Sequence, residues 1–133
     1  MAALIDTSVL IDVERGRLSL LTLAAAHEDE EVAISAVTAS ELLHGVHRVA
    51  GGARAAKAEA FVEGLLSLLP VLAFDLDAAR THARLSADLQ SRGVSIGAHD
   101  LLIASTALAN DYRVITRDLR SFPRIDGLDV QRV

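Results

Sequence analysis

The chain has 133 residues, of which 51% are hydrophobic and only 3% aromatic, and it contains no cysteine. The lack of cysteine excludes a disulfide framework and thiolate metal sites, and no apolar stretch reaches the roughly 18 residues of a membrane helix, so we expect one cytoplasmic domain over residues 1–133 with no membrane partner. The net charge of −5 excludes a protein that coats nucleic acid through many cationic contacts, but it is compatible with a nuclease whose metal-binding acids are clustered.

The first predicted element is a buried strand at residues 2–5, which ends abruptly in the sequence DTS at residues 6–8. An apolar run of this length between polar flanks is typical of a strand inside a parallel sheet. A short helix is predicted at residues 9–15 and another at residues 18–27. Because open parallel sheets bind ligands outside the carboxyl ends of their strands, we expect Asp6 to lie where a ligand would bind.

Strands and helices alternate through the rest of the chain. Further strands are predicted at residues 32–35, 71–74, 113–116 and 128–130. Helices are predicted at residues 38–49, 53–69, 76–91 and 98–110, with a tight turn or single helical turn at 118–123. The alternation predicts a three-layer α/β/α domain, with helices on both faces of a parallel sheet of four to five strands. The two helices before the third strand exceed the needs of a crossover, so we expect them to form a homodimer interface.

Four acids stand at suggestive positions in this arrangement. They are Asp6 after the first strand, Glu41 in the first turn of the helix after the second strand, Asp100 in the first turn of the helix before the fourth, and Asp118 two residues after the fourth. Each has a structural explanation of its own. Asp6 can cap the next helix, Thr38 and Glu41 fit a capping box, Asp100 can complement a helix dipole, and Asp118 can cap a turn.

Taken together, the four acids predict a metal site. Helices that follow parallel strands begin at the same edge of the sheet, which places Asp6, Glu41 and Asp118 on one edge, whereas the pattern alone does not place Asp100. Two carboxylates about 4 Å apart repel by roughly 4 kcal/mol at an effective dielectric near 20. Such a cluster either takes up protons or binds a cation, and Mg²⁺ and Mn²⁺ are the hard cations that prefer oxygen ligands.

The acids lie in the segments LIDTSVLID, SAVTASELLHGV, GAHDLLIASTAL and VITRD. These segments resemble the four motifs of the PIN-domain ribonucleases, most of all the VapC toxins of VapBC toxin–antitoxin pairs. The resemblance covers nearly the whole chain. It implies a PIN-like sheet with strand one central and beside strand four. It also implies that Asp6, Glu41, Asp100 and Asp118 are the catalytic acids.

Within that site, the resemblance implies that Asp6, Asp100 and Asp118 bind the metal, while Glu41 is a ligand or a base that orients water. It implies a metal-dependent endoribonuclease toxin, in which water activated by Mg²⁺ or Mn²⁺ hydrolyses RNA phosphodiester bonds. The implied products carry 5′-phosphate and 3′-hydroxyl ends. A cognate VapB-like antitoxin is the implied partner, and the rim charge suggests that an arginine of its tail pairs with the carboxylates.

Several assignments stay open at this stage. Ser8 and Thr116 fit positions that hold metal-bound waters or a carboxylate, but both also suit plain backbone capping. A receiver-like phosphoacceptor module would need a lysine at a strand end, whereas the only lysine, Lys57, lies in a predicted helix. A phosphatase of the DxD type needs an acid where Ser8 stands. A non-catalytic PIN-like binding protein is disfavoured because all four acids are present.

Four arginines close in sequence to the fourth strand are candidates for contacts with RNA phosphates. They are Arg113, Arg117, Arg120 and Arg124. For each of them a solvated surface position is an equal alternative.

Overall fold

The computed structural model describes residues 2–133 and contains one five-stranded sheet. Its strands are β1 Ala2–Ile5, β2 Glu31–Ser35, β3 Val71–Leu72, β4 Arg113–Thr116 and β5 Val130–Arg132. The strand order is β3-β2-β1-β4-β5, and every neighbouring pair is parallel. The expectation that strand one is central and beside strand four is therefore confirmed.

Six α-helices and one short 3-10 helix connect the strands. The α-helices are α1 Thr7–Glu14, α2 Leu20–Ala26, α3 Ala36–Arg48, α4 Gly52–Leu68, α5 Leu76–Ser91 and α6 Ala98–Ala109, and the 3-10 helix is Phe122–Arg124. None of the helices within residues 2–133 is both long enough and apolar enough to cross a membrane.

The two faces of β1 pack into two separate apolar clusters. Ala3 and Ile5 belong to the cluster that α1, α3 and α4 complete, whereas Leu4 belongs to the cluster that α5, α6 and the 3-10 helix complete. Successive side chains of a strand point to opposite faces, so this division shows that helices cover both sides of the sheet. The predicted three-layer α/β/α architecture is confirmed, and the apolar run of β1 is explained by its burial on both faces.

The start of α3 differs from the prediction, with a consequence for Glu41. The Ser35 hydroxyl accepts a hydrogen bond from the Thr38 backbone nitrogen at 3.0 Å, so Ser35 caps the helix and the helix begins at Ala36. The predicted capping box between Thr38 and Glu41 is therefore wrong. Glu41 lies in the second turn rather than the first, and its carboxylate is not used in capping α3.

Other boundaries shift by a few residues. Helix α1 begins at Thr7, directly after Asp6, two residues before the predicted start. Strand β3 has only two residues and lies at the edge of the sheet, and β5 spans Val130–Arg132 rather than residues 128–130. The register explains the β5 shift, because Val114 pairs with Val130 while Leu128 packs into the core before the strand begins.

Candidate active site

The carboxyl edge of the sheet holds Asp6 between β1 and α1. Asp6 occupies the N-cap position of α1, but its side chain makes no capping hydrogen bond. Instead its Oδ2 accepts hydrogen bonds from the Ser8 hydroxyl at 2.6 Å and the Thr116 hydroxyl at 2.9 Å. Both hydroxyls hold the same oxygen, which leaves Oδ1 as the oxygen that can face a ligand. The helix-cap explanation of Asp6 is therefore wrong.

Asp6 is almost completely buried, with only 3% of its surface exposed. Burial raises the pKa of Asp6, and the hydrogen bonds from Ser8 and Thr116 lower it in part. The neighbouring Asp100 carboxylate raises the Asp6 pKa further. A carboxylate held in this way is destabilised as an anion unless a cation offsets its charge.

Asp100, in the first turn of α6, links the four acids electrostatically. Burial raises its pKa, and the nearby carboxylates of Asp118 and Glu41 raise it further, while a hydrogen bond from Ser121 opposes these effects. Because the Asp100 carboxylate also raises the pKa of Asp6, the structure places Asp100 within electrostatic range of each of the other three acids. The pattern of strands and helices could not place Asp100, and the structure does so by packing α6 against the sheet.

Glu41 is held by a residue that sequence reasoning missed. The Thr7 hydroxyl donates a hydrogen bond to Glu41 Oε1 at 2.8 Å and lies 3.0 Å from the Thr38 hydroxyl. Glu41 Oε2 lies 3.4 Å from His99 Nδ1. The position of Thr7 between Asp6 and Ser8 indicates that it lies at the site, but the sequence does not show that its partner is Glu41, which is 34 residues away in the chain.

Asp118 is paired with an arginine two residues along the chain. Arg120 Nε lies 3.0 Å from Asp118 Oδ1 and Arg120 Nη2 lies 3.0 Å from Oδ2. The Arg120 backbone nitrogen also donates to Oδ1 at 2.9 Å. These hydrogen bonds and the positive charge lower the pKa of Asp118. Asp118 does stabilise a local turn, as one structural explanation predicted, and its charge also raises the pKa of Asp100.

The other three arginines near β4 have partners elsewhere. Arg113 lies at the opposite edge of the sheet, where its Nη2 donates to both oxygens of Glu30 at 2.7 Å. Arg117 is bound to Asp12 and to the Val133 carbonyl. Arg124 donates to a backbone carbonyl. Arg113 is therefore not placed to contact an RNA phosphate beside the four acids, because it begins β4 and lies at the amino end of the strand.

The donor set of the acidic group consists of oxygens, which suits Mg²⁺ or Mn²⁺. Within residues 2–133, no three Asp, Glu or His side chains are gathered closely enough to ligate one ion as they stand. Both oxygens of Asp118 are taken by Arg120, and one oxygen of Glu41 is taken by Thr7. Mg²⁺ commonly binds through one or two carboxylates and keeps several waters, so the pair formed by the buried Asp6 and the half-buried Asp100 fits such an ion.

The sequence of this chain is similar to those of known proteins. The sequence profile of the PIN domain matches residues 3–128. Ribonuclease VapC1 of Rickettsia felis is 39% identical over 133 residues, covering 100% of this chain and 97% of that protein. The tRNA(fMet)-specific endonuclease VapC of Salmonella typhimurium is 35% identical over 98 residues, covering 74% of this chain and 72% of that one.

Solved structures show the same fold. The DNA-bound VapBC of Salmonella typhimurium contains a chain that superposes with a TM-score of 0.88 at 27% identity, covering 99% of this chain and 98% of that one. A chain of VapBC-5 from Mycobacterium tuberculosis superposes with a TM-score of 0.79 at 34% identity, covering 99% of this chain and 98% of that one.

Proposed function

This chain belongs to the PIN-domain family and to its VapC ribonucleases, and from that premise we propose that it is the endoribonuclease toxin of a type II toxin–antitoxin pair, which hydrolyses RNA phosphodiester bonds with Mg²⁺ or Mn²⁺. Residues 1–133 form one PIN-like domain that acts in the cytoplasm, where its RNA substrate is found. The observation that carries the proposal is the buried carboxylate of Asp6, held through one oxygen and coupled to Asp100.

In this proposal Asp6, Asp100 and Asp118 would hold the ion, and Glu41 would be a further ligand or the base that orients the attacking water. The chemistry that a divalent ion would supply here is a lower pKa for a bound water and neutralisation of the charge that builds up on the phosphate. Ser8 and Thr116 would position the Asp6 carboxylate, because both hydroxyls donate hydrogen bonds to its Oδ2. Thr7 orients Glu41 through Oε1 in the same way, and Glu41 Oε2, which lies 3.4 Å from His99 Nδ1, is the oxygen that would accept a proton from water.

The metal requirement supplies the first test of the function. RNA cleavage is expected with Mg²⁺ or Mn²⁺ and is expected to stop in excess chelator. The melting temperature should rise with Mn²⁺ concentration, because an ion that binds only the folded state stabilises it. The rise should be lost in Asp100→Asn. Full cleavage in excess chelator would contradict the metal mechanism.

The open acidic edge also predicts how a partner inhibits the enzyme. We expect a VapB-like antitoxin to cover this edge and to place an arginine on the carboxylates, because the guanidinium fork matches carboxylate geometry. Mixing the purified antitoxin with this protein should stop RNA cleavage in a cleavage assay. A complex in which the antitoxin binds far from Asp6 and leaves cleavage intact would refute this.

Exposed apolar surface near α3 and α4 predicts that the protein forms a homodimer. Leu68 at the end of α4 is 73% exposed and the neighbouring Val71 is 44% exposed, which leaves apolar surface uncovered on this side of the chain. We expect a two-fold homodimer that uses part of α3 or α4 and buries about 1,200 Å² or more in total. Light scattering across a concentration series should report twice the chain mass. A monomer at every concentration would count against the dimer.

A further inference from the structure

Arg120 is the arginine that reaches the acidic group. Among Arg113, Arg117, Arg120 and Arg124, it alone pairs with one of the four acids in the described part of the chain. Two N–H groups of its guanidinium, which form a fork, donate to the two carboxylate oxygens of Asp118. The positive charge of Arg120 also lowers the pKa of Asp100. Nevertheless the Arg120 side chain is 89% exposed, so little besides Asp118 holds it in place.

The pairing conflicts with metal binding at Asp118. Asp118 Oδ1 accepts two N–H groups of Arg120 and Oδ2 accepts a third. An ion that binds either oxygen has to displace at least part of the fork, and the positive charge of Arg120 repels the ion as well. Arg120 therefore competes with a divalent ion for Asp118.

The displaced guanidinium has a second partner available. Once released from Asp118, it is an exposed cation at the edge of the sheet where the RNA phosphate must lie. A phosphate presents paired oxygens to arginine much as a carboxylate does. Arg113 cannot bind this phosphate, because it lies at the amino ends of the strands, where it pairs with Glu30. Arg117 is held by its contacts with Asp12 and Val133.

We propose that Arg120 exchanges between Asp118 and an RNA phosphate, so that metal and RNA each favour the binding of the other. This inference rests on the proposed function. Without RNA, Arg120 holds Asp118 and weakens metal binding. With RNA, the phosphate draws Arg120 away and frees Asp118 for the ion. Such coupling is reciprocal, because a ligand that strengthens a second ligand is itself strengthened by the same factor.

The first experiment measures Mn²⁺ binding alone, by calorimetry without RNA. Arg120→Gln is expected to bind Mn²⁺ about 10-fold more tightly than the wild type, and Arg120→Lys should fall between them because it keeps the charge but loses the fork. Arg124→Gln is the matched control, since it removes the same charge from an exposed arginine whose side chain, among residues 2–133, donates only to the Ser95 backbone carbonyl. Its Mn²⁺ affinity should stay within about twofold of the wild type.

The second experiment measures RNA binding in a Glu41→Gln background, where cleavage is blocked. The affinity for a labelled single-stranded oligoribonucleotide is compared in Mn²⁺ and in chelator. The gain in RNA affinity on adding Mn²⁺ should be about 10-fold larger with Arg120 than with Arg120→Gln.

The outcomes separate this inference from the proposed function. If the wild type binds Mn²⁺ through Asp100 and Arg120→Gln binds it no more tightly than Arg124→Gln, the competition is overturned and the proposed function stands. If Arg120→Gln binds Mn²⁺ more tightly but the gain in RNA affinity is unchanged, the exchange onto phosphate is overturned. If the wild type shows no Mn²⁺ binding that Asp100→Asn removes, the proposed function fails and this inference fails with it.

Discussion

Asp6→Asn is expected to abolish RNA cleavage and yet to melt at a higher temperature than the wild type in chelator at neutral pH. Asparagine keeps the shape and an oxygen that can accept the hydrogen bonds from Ser8 and Thr116. It removes one buried charge from beside Asp100. The gain in the free energy of unfolding should be about 1–3 kcal/mol, less than the full repulsion of two close carboxylates, because water and a shared proton already relax it.

The pH dependence follows from the direction of the Asp6 pKa shift. Burial raises the folded-state pKa of Asp6 above its ordinary value of 3.8, so the folded protein binds more protons than the unfolded chain between these two values. Wild-type stability therefore falls as pH rises through this window, and the full penalty is present above it. The advantage of Asp6→Asn should be largest at neutral pH and should fade as the pH falls toward 3.8.

Metal should reverse this difference, because the wild type gains binding energy that Asp6→Asn has partly lost. Thermal melts in chelator and in saturating Mn²⁺, over a pH series, test the whole pattern. Asp126→Asn is the matched control, since it removes an exposed carboxylate that precedes β5 and therefore lies toward the other edge of the sheet. A mutant that melts with the wild type in chelator and still cleaves RNA would remove Asp6 from the site.

Thr7→Val is expected to lower kcat by about 10- to 100-fold with little change in KM for RNA, because a small misplacement of a catalytic group is costly. Valine fills the same space but cannot donate the 2.8 Å hydrogen bond to Glu41. Thr7 is 5% exposed, so water cannot readily replace the lost donor. The loss of this part-buried hydrogen bond should also cost about 0.5–1.5 kcal/mol of stability.

Thr7→Ser is the control that separates positioning from packing. It restores the hydroxyl and removes only a methyl group, so it should recover most of kcat. Initial rates over a range of RNA concentrations, at saturating Mg²⁺, give kcat and KM for the three proteins. Equal rates for Thr7→Val and the wild type would show that Glu41 needs no support from Thr7.

The parts of this protein that follow a local rule could be predicted from the sequence. The apolar run before Asp6 predicts a buried strand, and the alternation of strands and helices predicts a parallel sheet whose carboxyl edge holds Asp6 and Asp118. The central position of β1 came from the resemblance of the motifs rather than from periodicity. Helix α5 was predicted with the bounds that the structure shows, Leu76–Ser91.

The parts that depend on distant contacts could not be predicted. Thr7 and Glu41 are 34 residues apart, so nothing local connects them. The cap of α3 was misassigned because Thr38 and Ser35 are both suitable caps, and only the end of β2 decides between them. The pairing of Asp118 with Arg120 is local, but a sequence does not tell which of several nearby arginines turns toward the acids.

The hydrogen bond from Thr116 to Asp6 joins residues that are 110 positions apart. Closing a loop of this length carries an entropic cost that only the finished sheet repays, and parallel sheets with such distant pairings fold slowly. During synthesis, β1 cannot find β4 until nearly the whole chain has left the ribosome. A nascent or broken chain therefore cannot assemble the complete set of acids. We expect RNA cleavage only from the fully synthesised and folded protein.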